Sequence, residues 1–458
     1  MMILSNKYFL PLLVAIASLL IPPCNLLAQQ TNTQQKVLEL EPRAAKTHSP
    51  AVRLLPSEVD LETGNAVPVL LRMVYEQQNF MRDTYPKLHE YAELNFDDPK
   101  LDEISFDRFA EQIIRAGSMS FADWQYPLRS ERPYSILLPD LQSQRQLVGR
   151  GMTVWIKQRL ARGETDKALE GIKAQLACAR HCAATPVIVC HLVGLSIANA
   201  ALDNLELAMQ SSDCPNLYWS LANLPPTLQD IGAMIRWEIW ATPTRLKEPL
   251  PPVGDKEWVR IAGEFVDLFA ELSSERYSLE EGEKLQANMD RLATQELAQT
   301  ASFSDAEIQR MTKEERIMRW LYLNHLSFRT QLEPLAYQSP QQVLTAKTKL
   351  EAFHQTIIDS SGAKTSPYPI AIPQAILACR SFERRVKFLQ TIEALRHHAS
   401  QHEGQLPAGL EDLELEAPND PFTNEPFIYE MSENVANLRQ AVIEDFTTKR
   451  YDYELRLE

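Results

Sequence analysis

The chain has 458 residues, with 46 lysines and arginines against 61 aspartates and glutamates, a formal charge of −15. The basic residues are scattered, which argues against a nucleic-acid partner, whose phosphates require a basic patch. Only 14 residues are glycine, and neither GxGxxG nor GxxxxGK[ST] occurs, so nucleotide-cradling turns are excluded and no cofactor is expected.

The first stretch, MMILSNKYFLPLLVAIASLLIPPCNLLAQQ, has the make-up of a secretory leader. Lys7 gives a basic start, Tyr8–Ile21 an apolar run, and Leu26-Leu27-Ala28 a small-residue cleavage site before Gln29. Cys24 raises lipid attachment, but Pro22-Pro23 fits that site poorly. Residues 1–28 are therefore expected to be a signal peptide, leaving an exported, periplasmic or extracellular chain with no transmembrane span. Residues 29–56 are polar and aperiodic and read as a linker.

From there the apolar spacing is helical. Asn65 opens a helix through about Asp83, and Ser105 caps another that Gly117 ends. Asp123–Leu128 reads as a packed aromatic turn anchored by Trp124. Leu147, Val148, Met152, Trp155, Ile156 and Leu160 keep helical spacing. Arg162-Gly163-Glu164 then turns the chain, and Thr165 is expected to cap the next helix. The spacing from Gly163 to Ala168 is similar to the turn and small-residue contact of a tetratricopeptide unit.

Thr185–Gln210 is the expected centre of the fold. Thr185 can cap it and Pro186 suits its first position. Its apolar run is interrupted by His191, Asn199, Asp203, Asn204 and Glu206 and reads as too short to span a bilayer, which leaves a core helix. Short helices follow at Asn216–Leu224 and from Thr227. Pro243–Gly254 is proline-rich and the expected internal border.

Helices are then expected around Lys256–Leu272, at Leu279–Ala298 with a Ser278/Glu281 capping box, at Glu314–Thr330 with a Thr312/Glu315 box, and from Ser339-Pro340. Ser360–Pro369 reads as a loop before a long helix from Pro373 to about His402. After Gly404 the period changes, and Phe427-Ile428-Tyr429 and Tyr451–Leu457 alternate as strands do. The fold class is thus mainly α, made of packed helical hairpins, tetratricopeptide-like in part, with a small C-terminal β hairpin. The expected division is 57–243, 255–403 and 404–458.

Three stretches carry a resemblance: LARGETDKALEGIKAQLACARHCAATPVIVCHLVGLSIANAALDNLE, PNLYWSLANLP, and IEALRHHASQHEGQLPAGLEDL with NDPFTNEPFIYE. Together they resemble a group of secreted proteins of planctomycete bacteria with no assigned activity, and that resemblance implies no catalytic residues. The tail is also similar to pseudopilin ends, with a Gly-x-x-Pro turn at Gly404–Pro407 and Asp420-Pro421 before a strand. The N-terminal pilin signature is absent, so pilus assembly is not implied.

Several constellations have the right residue types for chemistry. Cys178, His181, Cys182, Cys190, His191 and Cys214 are ligand types for zinc. A straight central helix would, however, separate Cys190 from Cys214 by about 36 Å. Cys178, Cys182 and Cys190 are thus weak metal candidates. Folding the hairpin about Ala184 brings Cys178 opposite Cys190, a candidate disulfide in an exported chain. His398 and His402, at i and i+4, can meet a metal from one helix face, but HHASQHE lacks the order of HExxH, and a solvated helix end is the expectation.

Ser361-Gly362-Ala363-Lys364 matches Ser-x-x-Lys without companion motifs. Asp420 and Glu425 beside Asn419 and Asn424 offer oxygens for calcium, although a plain turn is expected. Two function classes remain. One is a scaffold or interaction protein of the envelope with an unknown protein partner. The other is a hydrolase or lyase on envelope polymers whose active site leaves no linear motif.

Overall fold

The computed structural model describes residues 33–46, 52–76, 78–129, 139–228, 230–241, 246–272, 278–300, 302–362, 371–432, 435–443, 446 and 449–457. The leader expected at 1–28 lies outside them. The fold is mainly α, as the periodicity predicts, with a β-containing C-terminal region. The chain divides into two compact units. Among the described residues the larger takes in 33–127, 139–234 and 377–457, and the smaller 128–129 and 235–376. The borders fall inside helices, at 234/235 and 376/377, rather than at Pro243–Gly254.

The larger unit opens with strand β1 (Thr33–Leu40), then β2 (Glu62–Asn65), α1 (Ala66–Glu76), α2 (Gln78–Asp83), α3 (Leu88–Glu93), α4 (Asp107–Gly117) and β3 (Met119–Phe121). Helix α5 (Pro139–Gln144) widens into a π-helical stretch at Arg145–Gly151 and continues as α6 (Met152–Ala161). The widening leaves carbonyls to be satisfied from outside, and Gln175 Nε2 donates to Val148 O at 3.0 Å and Gly149 O at 2.9 Å. Asn204 Nδ2 in turn donates to Gln175 Oε1 at 2.8 Å. Gly151 is required here, because a Cβ would lie 2.2 Å from the Phe106 ring.

Gly163, at φ +70°, turns the chain into α7 (Thr165–Cys182). Thr165 is the first helical residue rather than the cap; its hydroxyl pairs with Ser211 Oγ at 3.0 Å. Next come α8 (Ile188–Met209), α9 (Tyr218–Ala222) and α10 (Ile231–Ala241). The expected start of α8 at Thr185–Pro186 moves to Val187 at the cap. Contrary to the expectation of a run too short to span, α8 is long and apolar enough to cross a membrane by length and composition. Its buried residues nevertheless include Asn204, whose Nδ2 donates to Thr153 Oγ1 and Gln175 Oε1, and Glu206, which pairs with Arg385. A helix apolar on most sides, whose buried amide and carboxylate reach donors and acceptors on other segments, is at home in a protein core.

The smaller unit holds α11 (Glu257–Leu272), α12 (Leu279–Gln299), α13 (Asp305–Arg310), α14 (Lys313–Leu332) and α15 (Pro340–Ser361). The expected Ser278/Glu281 capping box is complete, and Ser304/Glu307 and Ser339/Gln342 form two more. The Thr312 box is half made. Its hydroxyl accepts from Glu315 N at 3.2 Å, but the Glu315 carboxylate turns to Gly254 N at 2.7 Å and Arg319 Nε at 2.8 Å.

Helix α16 (Ala371–Gln401) crosses the 376/377 border, and its later turns face the C-terminal sheet. Phe388 meets Phe427 at 5.1 Å and Tyr453 at 5.3 Å between ring centroids. That sheet has β4 (Ile428–Ser432), β5 (Val435–Arg439) and β6 (Arg450–Leu457) in the order β1-β6-β5-β4. The two strands read from sequence, β4 and β6, do not pair with each other. The hairpin is β4–β5, and β6 lies between β5 and a parallel β1. Thus the linker expected at 29–56 is, from Thr33 to Leu40, an edge strand. Its Leu38 and Leu40 are buried on the face shared with Tyr451, Tyr453 and Leu455.

Candidate functional site

The chemically richest surface position is the C-terminal end of α16. His398 and His402 lie one turn apart, and their rings stack with centroids 4.0 Å apart. The Glu414 carboxylate spans both. Its Oε2 lies 3.0 Å from His398 Nδ1 and its Oε1 2.6 Å from His402 Nε2. Burial pushes the Glu414 carboxyl up, but the hydrogen bonds from His402 and His398 outweigh it and hold it at about 2. His398 is buried while His402 and Glu414 are exposed, so the end is not the fully solvated one expected.

Local structure fixes this geometry. Positive φ at Glu403 and Gly404 lets the chain leave the helix, and Gly404 N returns to Ala399 O at 2.9 Å. Leu413 and Leu415, either side of Glu414, pack on a cluster of Ala45, Tyr218 and Ala394. Tyr218 OH donates to Glu416 O at 2.8 Å. On the residue just before His398, His397 Nδ1 accepts from Ala45 N at 3.0 Å. The result is two imidazole nitrogens and a carboxylate oxygen within 4.8 Å of one another.

The second concentration of charge is buried. Arg385 Nη2 lies 2.6 Å from both Asp203 Oδ1 and Glu206 Oε1. Glu206 also accepts from Lys36 Nζ on β1 and from Tyr453 OH on β6. Burial opposes the Arg385 charge, but Glu206, Asp203 and the two tyrosines hold its pKa well above the ordinary value. The Arg385 guanidinium also lies over the Tyr451 ring, 4.5 Å from its centroid. Nearby, Arg384 grips Asp420 with Nε at 2.9 Å and Nη2 at 2.6 Å, and Arg396 pairs with Glu393 at 2.8 Å. Each carboxylate here is neutralised by a guanidinium, and each pair joins separate chain segments or successive helical turns.

The remaining expectations resolve one by one. Cys178 is a free thiol whose Sγ donates to Ile113 O at 3.5 Å, so it faces α4 and the Cys178–Cys190 disulfide is not formed. Burial pushes Cys178 and Cys214 up to about 12 and Cys182 well above its usual value. Metals bind the thiolate, which such burial disfavours. The three-donor grouping found among the described residues contains no cysteine.

Ser361 is buried and its hydroxyl donates to Ile357 O at 2.6 Å, while Lys364 lies outside the described residues. Asp420 accepts from Arg384 and, through Oδ1, from Phe422 N at 3.0 Å. Trp124 anchors its turn by donating to His181 O at 2.8 Å.

Sequence reading found His398 and His402 but missed Glu414. The intervening GQLPAGLEDLEL gives no spacing rule that sends one of its three carboxylates back to the helix. It also missed Arg385 and took Glu206 only as an interruption of an apolar run. A charged residue inside an apolar helix is itself a signal that a buried partner exists elsewhere. No protein-family model, curated protein or solved structure matches this chain.

Proposed function

We propose that this chain is an exported helical scaffold or interaction protein of the cell envelope, acting on a protein partner. The observation that carries the reading is the use made of its buried charges. Glu206 takes donors from β1, α16 and β6 at once, and Asp420 and Glu393 are likewise tied to arginines. A catalytic carboxylate needs a face open to substrate; Glu206 and Asp420 are buried against donors from distant segments, and Glu393 is buried against Arg396 on its own helix. Export rests on the leader-like composition of residues 1–28 and agrees with the resemblance to secreted planctomycete proteins. The net charge of −15 favours a protein over a nucleic acid as partner.

Cross-linking of the native envelope with mass spectrometry tests this. Recurrent cross-links from this chain to one envelope protein, with an N-terminus at Gln29, are expected. Depolymerisation of envelope polysaccharide by the purified chain, without a recurrent cross-link, would establish the hydrolase or lyase instead. An intact Met1 on cytoplasmic protein would overturn export.

A further inference from the structure

We propose that His398, His402 and Glu414 form a binding site for one divalent transition-metal ion, with Zn²⁺ the preferred occupant. The proposal is independent of the scaffold reading. The donor set comes first. Two imidazoles and one carboxylate are zinc-type ligands, whereas calcium and magnesium take oxygen ligands.

The geometry comes second. A tetrahedral zinc holds its ligand atoms about 2.1 Å from itself, and therefore about 3.4 Å from each other. The Glu414 oxygens now lie 3.0 Å and 2.6 Å from the two nitrogens, and all three donor atoms fall within 4.8 Å. Moving the carboxylate by less than an ångström opens that spacing, and Glu414 is exposed enough to move.

The third argument is preorganisation. The i, i+4 placement on α16 sets both imidazoles on one side. An ion lies in the plane of each ring it binds, so the exposed His402 ring has to turn out of the present stack, in which the rings are 21° from parallel. The backbone carrying Glu414 is clamped by Leu413, Leu415 and the Tyr218–Glu416 hydrogen bond. Donors carried on a fixed backbone cost less ordering when the ion binds, only side-chain rotations remaining. Buried His398 walls one side, and the exposed His402 and Glu414 leave a fourth coordination position open to water. The ion would join the end of α16 to the loop that precedes the sheet.

A simpler reading has Glu414 pairing with protonated imidazoles and no metal at all. Titration calorimetry of the tag-free full chain with zinc chloride, slightly above neutral pH, separates the two. One saturable site per chain is expected. His402→Ala and Glu414→Gln should each weaken it at least about tenfold, the lower end of what loss of even an outer-shell partner costs. His402 is exposed, so its variant is expected to keep its far-ultraviolet circular dichroism.

Cobalt substitution supplies the second readout. Nitrogen and oxygen ligands give visible tetrahedral bands without the near-ultraviolet charge transfer of thiolates. The proposal is overturned if the chain shows no saturable zinc binding. It is equally overturned if both variants bind as tightly as the parent, or if a thiolate band places the ion on the cysteines.

Discussion

The two compact units are held together at different ranges along the chain. In the larger, the ties are buried and distant in sequence. Glu206 meets Tyr453 across 247 positions, Arg385 across 179 and Lys36 across 170. In the smaller, many ties are local: three capping boxes spanning three residues each, and Arg319 on Glu315 one turn away. Its Arg316–Asp290 pair reaches across only 26 positions. A buried ion pair adds little net stability over apolar residues, but removing one partner strands the other charge. The larger unit therefore depends on a few long-range buried charges, and the smaller on many short-range ties, the buried Arg319–Glu315 pair among them.

Glu206→Ala should test that contrast most severely. It leaves the buried Arg385 with the half-exposed Asp203 as its one carboxylate, beside the Asn199 carbonyl, and takes the acceptor from Tyr453 and Lys36. A loss of about 3–5 kcal/mol is expected in the larger unit. Hydrogen exchange should show protection falling in Thr33–Leu40, Arg450–Leu457 and the middle of α16, with Leu279–Gln299 unchanged. Equal losses in both units would break the comparison.

The same contrast explains what the sequence could disclose. The Ser278 box, the helix opened by Ser339-Pro340 and the turn at Gly163 follow from neighbours within four residues, and reading along the chain finds them. Strand β1 did not announce itself. TQQKVLEL is mostly polar, and only pairing with Arg450–Leu457 makes Leu38 and Leu40 core residues. The π-helical stretch at Arg145–Gly151 reads as ordinary helix in the sequence, because its support, Gln175, lies on another element. In the His398–His402–Glu414 cluster the two histidines are visible as an i, i+4 pair. Glu414 is not, because a loop closure selects it.

Acid should act on both units and so sharpen the comparison from the other side. Burial pushes His181 in the larger unit, and His354 in the smaller, each down to about 4. The folded chain therefore holds these imidazoles neutral, while the unfolded chain protonates them near 6.5. Stability from this source is complete above that value and drains as pH falls from 6.5 towards 4, on the order of 3 kcal/mol for each histidine. Denaturant unfolding between pH 7 and pH 4, each transition assigned by hydrogen exchange, should show both units weakening. Replacing His181 by Asn should flatten that dependence in the larger unit alone. A dependence that persists there would mean that other groups, carboxylates or His397, whose pKa burial also lowers, govern the acid response.

The smallest effect belongs to the smaller unit and probes whether its ties are as local as they look. In the box at the start of α12, Ser278 Oγ accepts from Glu281 N at 3.2 Å and Ser278 N donates to Glu281 Oε2 at 2.6 Å. Ser278→Ala removes the first bond and leaves the second, so about 1 kcal/mol should be lost. Because the group is exposed, water takes over the vacated N–H, and the loss should stay within the first turn. Exchange should quicken for the amides just after Ser278 and remain unchanged towards Gln299. Thr312→Ala makes a useful partner measurement. There the glutamate of the box already serves Gly254 and Arg319, so losing the cap should leave those two contacts and the middle of α14 undisturbed. If either substitution instead loosens α12, α14 and α15 together, the caps are coupled through the packing of the unit, and its apparent locality is an effect of where the hydrogen bonds fall rather than of how it unfolds.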